Sequence, residues 1–245
     1  MLTSAALQTP RFSTFAHFSA IILLLVVVYL LAFDLDYYLN VFVAKDGAEG
    51  TGIAEHLTWI ILLPGIALAL AAIAFYRDQL PNPLPIYWLF TWALACVYFA
   101  GEEASWGQWY FLWETPEEFL AINDQQETNL HNTSSWLDQK PRMLVELWIF
   151  LGGFVWPLLR MFGLRPQRTP EEWRYWIAVP QACFSAALLF TLVRFADWFN
   201  QVDPLVLHFG NSELRELTIA LFLTLYLSSY WVRLRAVAAS ASFSK

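Results

Sequence analysis

Six apolar stretches, each close to the length of a membrane span, constrain this chain more than any other feature. They cover approximately 16–33, 55–75, 84–101, 143–162, 176–196 and 216–232. A helix needs about 20 apolar residues to cross a hydrocarbon core of roughly 30 Å. Only 14% of the residues are charged and the mean hydropathy is +0.45, which is outside the range of soluble globular proteins. We therefore expect an all-α, polytopic membrane bundle of about six transmembrane helices.

No internal repeat, low-complexity tract or linker separates these stretches, so a single integral membrane domain is expected over 1–245. The first stretch is interpreted as a retained helix, because it exceeds the apolar part of a signal peptide and lacks a small-residue cleavage pattern. Cys96 and Cys183 are expected at different depths in the membrane. No disulfide between them is therefore predicted.

Basic residues in the loops predict the orientation, because Lys and Arg concentrate on the cytoplasmic side. One side carries Arg11, Arg77, Arg160, Arg165, Arg168, Arg174, Arg233, Arg235 and Lys245, and the other carries Lys45, Lys140, Arg142 and Arg215. Both termini are therefore expected in the cytoplasm of a bacterium, with the chain in the inner membrane and outer-face loops over 34–54, 102–142 and 197–215. Most acids fall on the outer face, and a basic nucleic-acid surface is not expected.

The outer segment 106–119 is too rich in aromatic residues for a solvated loop. It contains Trp106, Trp109, Tyr110, Phe111, Trp113 and Phe119. Such residues favour the headgroup level of a membrane, where the segment would lie along the bilayer or dip into it. We expect it to cover the acidic residues that precede it.

Two copies of one pattern predict helix starts, namely Thr115-Pro116-Glu117-Glu118 and Thr169-Pro170-Glu171-Glu172. In each, Thr is expected at the N-cap, Pro at the first helical position, and Glu is expected to return a hydrogen bond to the cap. The first copy predicts a short helix in the outer loop. The second predicts an interfacial, Trp-rich helix that leads into the fifth span.

Glu102 and Glu103 end the third apolar stretch, within the string GEEASWGQ at 101–108. Neighbouring helical residues point about 100° apart, so at most one of the two is expected to face a given axis. Two carboxylates at the hydrocarbon edge repel each other and lose hydration, which favours the protonated form of one of them or a bound cation. The alternative is that both reach headgroup water. Ser105 and Gln108 follow as hydrogen-bonding partners.

Further candidate ligands lie in the other outer segments. Glu127 and His131 are four residues apart and would share a helix face, although the amides around them, such as Asn132, also suit a solvated loop. Glu55 and His56 open the second span, and His208, Asn211, Glu213 and Glu216 precede or open the sixth. Glu216 is interpreted as ordinary charge at a helix N-terminus. Because histidines and carboxylates meet at one depth, we predict a zinc or di-metal site with ligands Glu55, His56, Glu127, His131 and His208. Glu102 and Glu103 are the candidate catalytic residues, with Ser105, Gln108, Asn132, Asn211 and Glu213 in support.

Arg194 and Glu146 are intramembrane charges near the outer ends of the fifth and fourth spans. A charge at that depth is costly unless it is paired. The two are expected to pair with each other or with the acidic cluster, and Asp197 is the nearest alternative partner for Arg194.

The strings GEEASWGQ at 101–108 and NDQQETNLHN at 123–132 resemble a motif pair of uncharacterised bacterial polytopic membrane proteins. More distantly, the pattern is similar to glutamate-dependent intramembrane proteases of the CAAX-processing and PrsW-like group. That resemblance implies that Glu102 and Glu103 match the diglutamate, His131 the first histidine, and His208 with Asn211 the second element. The chain departs from that group in having Trp106, Gly107 and Gln108 where a basic residue is usual, and in the spacing of His208 and Asn211.

Two functions from different classes follow. The first is a membrane-embedded hydrolase that acts on a lipid, lipidated or peptide substrate at the outer face, with a carboxylate and histidine site and with or without a metal. The second is a non-enzymatic accessory or assembly subunit of a larger membrane complex, whose partners are other membrane proteins as well as lipids. A transporter is less favoured, because the polar residues lie at one face rather than at mid-membrane.

Overall fold

The computed structural model describes residues 10–43, 52–122, 128, 130, 133–164, 168–202 and 211–243. Within these residues all regular secondary structure is helical. The helices in chain order are α1 (Pro10–Phe33), α2 (Leu35–Tyr37), α3 (Ile53–Tyr76), α4 (Leu84–Glu103), α5 (Gln108–Phe111), α6 (Glu117–Leu120), α7 (Ser135–Trp148), α8 (Trp156–Met161), α9 (Trp173–Ile177), α10 (Phe184–Val202) and α11 (Ser212–Phe243). Short π-helical segments follow α2 at Tyr38–Phe42 and join α7 to α8 at Ile149–Val155.

Six helices in the described part of the chain are long and apolar enough to cross a membrane. They are Pro10–Phe33, Ile53–Gln79, Leu84–Glu103, Lys140–Met161, Trp173–Asn200 and Ser212–Ser240. Each contains or closely overlaps one of the six stretches expected from the sequence. The prediction of a polytopic, all-α membrane protein is confirmed.

The sixth span, α11, is the central helix of the bundle. Small residues of α3 face it, because Ala54, Thr58, Gly65 and Ala69 recur at intervals of four or seven residues, which places them on one face of α3, and all four are buried. A Cβ on Gly65 would lie 2.8 Å from the Thr224 Cα, so the two backbones are in direct contact. The Thr224 hydroxyl also donates to the Ile61 carbonyl at 2.7 Å. Such close approach through small residues is how helices associate in a membrane, where lipid removes the hydrophobic drive to pack.

The fourth span reaches the same core through its π-helical turns. Gly153 lies in this segment, and a Cβ there would come within 2.6 Å of the Phe222 ring and 2.8 Å of the Ala187 Cβ. The first span is linked to the fifth by a hydrogen bond between His17 Nδ1 and the Ser185 hydroxyl at 2.7 Å. Cys96 and Cys183 are both buried free thiols, so the prediction that they do not pair is confirmed.

The two predicted helix starts form differently from the expectation. α6 begins at Glu117 as a short helix, but Pro116 is its N-cap and the Thr115 hydroxyl accepts from Gln108 Nε2 at 2.7 Å. The predicted Thr115 cap is therefore wrong, since the helix starts one residue later than expected and the Thr115 hydroxyl is bound to a side chain seven residues earlier. In the second copy the Thr169 amide does donate to Glu172 Oε1 at 3.3 Å, but α9 begins only at Trp173. Pro180 then separates α9 from the rest of the fifth span.

One end of the bundle is organised around Arg233 of α11. Its guanidinium donates to the carbonyls of Ser229, Tyr175 and Trp176 and to the Ser229 hydroxyl, at 3.0 to 3.3 Å. It also lies over the rings of Tyr175, Trp176 and Tyr230, about 5 Å from their centroids. Two of these carbonyls belong to the last turn of α9, so Arg233 satisfies acceptors that a helix end leaves open. We call this group the arginine cage.

Candidate functional site

Glu103, Glu213 and Glu216 meet at the opposite end of α11. Each offers a carboxylate oxygen, and these oxygens all lie within 4.8 Å of one another. Glu103 ends α4, whereas Glu213 and Glu216 lie in the first two turns of α11, so the cluster joins the third and sixth spans. Glu55, in the first turn of α3, adds another negative charge that acts on Glu103, and Arg142 of α7 adds the opposing positive charge. We call Glu103, Glu213 and Glu216 the carboxylate cluster.

A cavity of about 150 Å³ lies beside this cluster, between α4, α7 and α11. Its polar end is formed by Glu102, Glu103, Arg142 and Glu216, and its other walls are apolar. Those walls are Trp92, Ala95, Tyr98 and Phe99 of α4, Pro141 and Val145 of α7, and Ile219 and Leu223 of α11. The spacing of these residues places them on one face of each helix, as amphipathic periodicity requires. The site is thus a small apolar chamber with carboxylates at one end.

Glu102 and Glu103 both reach this cavity, which differs from the expectation that at most one of them would face a common axis. Their partners nevertheless separate them. Glu102 Oε1 accepts from the Trp106 indole and Oε2 accepts from the Leu130 amide, each at 2.7 Å. Among the described residues, none donates a hydrogen bond to the Glu103 side chain, which is 7% exposed. Glu102 is therefore held by the outer loop through Trp106 and Leu130, whereas Glu103 has no such donor among the described residues.

The GEEASWGQ string has a structural explanation in the turn that follows α4. Ser105, Trp106 and Gly107 have positive φ values of 42°, 52° and 100°, so the chain folds back sharply. Left-handed backbone at Ser105 and Trp106 costs roughly 1–2 kcal/mol per residue. The Trp106 ring lies against Gly101, where a Cβ would come within 2.8 Å, and its indole bonds to Glu102. The string therefore stores strain at the edge of the cavity, which is common at functional sites.

Gln108 extends this anchoring of the outer segment. Its amide nitrogen donates to the Thr115 hydroxyl and its amide oxygen accepts from the Thr128 backbone, both at 2.7 Å. The Trp113 indole reaches the Thr128 hydroxyl at 3.3 Å. Gln108 thus supports the site indirectly, by tying the segment that covers Glu102. The aromatic residues of this segment are largely exposed, with Phe111 at 77% and Trp106 at 46%.

Ion pairs connect the fourth, fifth and sixth spans next to the cavity. Arg142 donates to Glu216 at 2.7 Å, and one helical turn further along α7, Glu146 lies 3.3 Å from Arg215 Nε without the alignment of a hydrogen bond. Arg194 pairs with Glu146 at 3.2 Å and with Asp197 at 3.5 Å, while Arg215 donates to Asp197 at 2.6 Å. The predicted pairing of Arg194 with Glu146 is confirmed, together with its alternative partner Asp197.

His56 and Glu55 are adjacent in the sequence but interact with different parts of the structure. His56 Nδ1 lies 2.6 Å from the Tyr110 hydroxyl, which also accepts from the Trp59 indole at 3.0 Å. Within the described residues, His56 is not one of the groups whose ligand atoms meet at the carboxylate cluster. The structure thus links His56 to the aromatic segment and Glu55 electrostatically to Glu103.

The supporting residues divide in a similar way. Asn211 caps α11, because its side-chain oxygen accepts from the Leu214 amide at 2.7 Å while its nitrogen donates to the Tyr38 hydroxyl at 3.0 Å. Burial raises the pKa of Tyr38 to about 12, so this hydroxyl stays protonated near neutral pH. Glu213 belongs to the carboxylate cluster, and Ser105 is buried in the strained turn. The predicted site residues Glu127, His131, Asn132 and His208 lie outside the described residues.

Two residues of the site had been missed. The sequence predicts ordinary helix N-terminal charge at Glu216, but this residue belongs to the carboxylate cluster and lines the cavity. In the sequence Arg142 bears only on orientation, whereas in the structure it lies at the polar end of the cavity. The sequence does contain a signal for both residues, namely opposite charges on two helices: Arg142 and Glu146 on α7, and Arg215 and Glu216 on α11. This complementarity can be recognised only once the two helices are known to be neighbours.

Comparisons with protein-family models, with curated proteins and with solved structures found no match.

Proposed function

We propose that this chain is a hydrolase embedded in the bacterial inner membrane, which cleaves an ester, amide or peptide bond of a lipid or lipidated substrate at the outer face. The observation that supports it is Glu103, a buried carboxylate without a hydrogen-bond donor among the described residues, at the polar end of an apolar cavity. Such a carboxylate accepts a proton readily from a water molecule, since no fixed donor already stabilises its charge.

In this mechanism Glu103 is the general base. It takes a proton from a water molecule as the water oxygen attacks the carbonyl carbon of the substrate. It then gives that proton to the leaving oxygen or nitrogen as the bond between that atom and the carbonyl carbon breaks. Arg142 holds Glu216 in place and offsets part of the negative charge around Glu103. Glu102 holds the outer segment through Trp106 and Leu130 and thereby keeps bulk water from the cavity. Exclusion of water strengthens every charge interaction at the polar end.

The carboxylate cluster also fits a divalent cation. Two oxygens bound to one ion at about 2.0–2.5 Å lie no more than about 5 Å apart, and the three carboxylates meet that limit. Glu103, Glu213 and Glu216 would hold the ion, which would supply a more acidic water and a Lewis acid for the carbonyl oxygen. Metal analysis of the purified protein separates a metal-dependent hydrolase from a metal-free mechanism in which Glu103 alone is the base. Glu216→Gln is the ligand-deficient variant for this measurement.

The main test compares wild type with Glu103→Gln, which keeps the volume and removes the ability to accept a proton. Loss of a general base lowers a rate on the order of 10²- to 10⁴-fold. We expect membranes that contain the wild type to accumulate a cleaved lipid or lipopeptide, detected by mass spectrometry, and membranes that contain Glu103→Gln to lack it. Glu118→Gln, an exposed carboxylate on α6, is the matched control and keeps the product.

A second candidate function is an accessory subunit of a membrane complex. It is favoured by the apolar tip of the outer segment, where Phe111 is 77% and Leu112 is 82% exposed. If Glu103→Gln has the same lipid profile as wild type while Phe111→Ser with Leu112→Ser dissociates a complex in mild detergent, the hydrolase proposal is wrong and this one replaces it.

A further inference from the structure

The cavity beside the carboxylate cluster reaches the outer surface of the bundle on the side of α4 and α7. Ala95 and Tyr98 of α4 and Pro141 of α7 line the cavity, and all three are exposed on the surface, Tyr98 to 37%. Ala95 and Tyr98 lie within the span Leu84–Glu103. An exposed surface of a membrane span faces lipid, so the molecules next to this opening are those of the bilayer.

Glu102, at the polar end of the cavity, is covered by the outer loop. Glu102 is 2% exposed and is bonded to Trp106 and to Leu130, so described parts of the outer segment lie over it. A hydrophilic chain arriving from water on this side meets Trp106 and Leu130 before it meets Glu102. A molecule that is already dissolved in the bilayer meets only the opening between α4 and α7.

The deep end of the cavity is suited to a hydrocarbon chain. Trp92 stacks on Trp148 with ring centroids 4.5 Å apart, and Ile219 and Leu223 of α11 complete the wall. The residues that line this half carry no charge. A volume of about 150 Å³ is similar to that of apolar cavities that admit a benzene-sized group, which is enough for a segment of one chain and too little for two.

We infer that the cavity binds one acyl chain of a membrane phospholipid, which reaches it sideways from the bilayer between α4 and α7. The inference rests on the proposed function, because the bound chain would bring its ester group to the end where Glu103 lies. It deepens that function by naming the substrate class: a diacyl phospholipid rather than a lipidated protein, whose polypeptide would need the covered polar side.

Photolabelling tests this directly. The full chain is reconstituted in vesicles of phosphatidylethanolamine and phosphatidylglycerol that contain a trace of phosphatidylglycerol with a diazirine in one acyl chain. After irradiation, mass spectrometry locates the labelled residues. We expect label on the cavity residues Phe99, Val145 and Leu223 in the wild type.

Ala95→Trp places a large side chain in the opening, and we expect label on the cavity residues to fall about tenfold. Val145→Phe fills the cavity from α7 and provides a second test if Ala95→Trp does not reach the membrane. Leu94→Trp is the matched control, because Leu94 is exposed on the same helix but does not line the cavity, and we expect its labelling to equal that of wild type.

Label confined to outward-facing residues of the spans, or cavity label unchanged in both filled variants, would overturn the inference. Displacement of the label by an acylated peptide at a concentration at which added phospholipid has no effect would also overturn it. Glu103→Gln separates the two proposals. Cavity labelling that persists in an inactive Glu103→Gln supports both proposals. Cavity labelling together with full hydrolytic activity in that variant refutes Glu103 as the general base and leaves the acyl-chain site standing. Loss of activity in Glu103→Gln, with no cavity label in wild type, refutes only the acyl-chain site.

Discussion

Arg233 and Glu103 are both more than nine-tenths buried, with 3% and 7% of their surfaces exposed, yet their surroundings are opposite. Arg233 donates four hydrogen bonds and lies over three aromatic rings. Glu103 has no hydrogen-bond donor among the described residues and lies among other carboxylates. The two sites are separated along α11 by about 25 Å, taking Glu216 as the reference for the cluster.

The difference lies in the partners that replace the water each side chain has lost on burial. A buried charge is tolerated when fixed partners replace the water it has lost, as in the arginine cage. A buried charge without such partners reduces stability and is retained when a ligand, a proton or a substrate completes the site. The physical contrast therefore predicts that substitutions at the two ends change stability in opposite directions.

The largest effect on stability is expected from Arg233→Met. The substitution keeps an unbranched chain but leaves the Tyr175 and Trp176 carbonyls without a donor, and each buried unsatisfied acceptor costs about 1–3 kcal/mol. We expect a loss of roughly 3 kcal/mol in the free energy of unfolding, measured in detergent by denaturant titration. Arg235→Met is the control, since Arg235 is exposed. Equal stability of the two variants would mean that the cage contributes nothing.

A smaller effect, of opposite sign, is expected from Glu103→Gln. In chelator-treated protein the change removes repulsion from Glu213 and Glu216, and charges about 5 Å apart repel by up to about 3 kcal/mol at an effective dielectric constant of 20. We expect the free energy of unfolding to rise by roughly 1 kcal/mol, with a higher midpoint in the same titration. Glu118→Gln should leave the midpoint unchanged. If Glu103→Gln is less stable than wild type when both proteins are free of divalent cations, the predicted opposite effects at Glu103 and Arg233 are contradicted.

The smallest effect on the global free energy of unfolding is expected from Trp106→Phe, which acts on the local structure of the outer loop. The ring still packs against Gly101, but the indole donor to Glu102 is lost, which costs about 1 kcal/mol. We expect faster amide hydrogen exchange at Leu130, because Glu102 is then held less firmly, with little change in global unfolding. Trp109→Phe is the comparison variant on the same exposed segment. Unchanged exchange at Leu130 would show that Glu102 does not anchor the outer segment through Trp106.

Some of the local structure was decided by contacts that no short pattern contains. The predicted cap at Thr115 does not form, and the Thr115 hydroxyl instead accepts a hydrogen bond from Gln108. The helix predicted to start at Thr169 begins only at Trp173, so Thr169 is not its cap. Pairing of Arg194 was predicted correctly because an intramembrane charge has few partners within reach, and Glu146 and Asp197 were the nearest candidates. Predictions from the local sequence were therefore correct where a residue had few possible partners.

The sequence by itself determined the class of protein and the end of the bundle that holds the acids. Twenty apolar residues can only cross a bilayer as a helix, and the order of the six spans brings the end of α4 and the starts of α3 and α11 to one side. It also marked Glu102 and Glu103 as unusual, because paired carboxylates at a hydrocarbon edge are costly.

Only the tertiary structure decided what each carboxylate does. Glu102 and Glu103 are adjacent in sequence, but the turn at Ser105 to Gly107 brings Trp106 to Glu102, whereas packing of α4 beside α11 brings Glu213 and Glu216 to Glu103. Likewise, the sequence groups Arg233 with the basic residues of the loops, whereas the structure places it against the last turn of α9. The role of a buried charge depends on the donors and acceptors that other segments place within about 3 Å, and those distances arise from helix packing rather than from the local sequence.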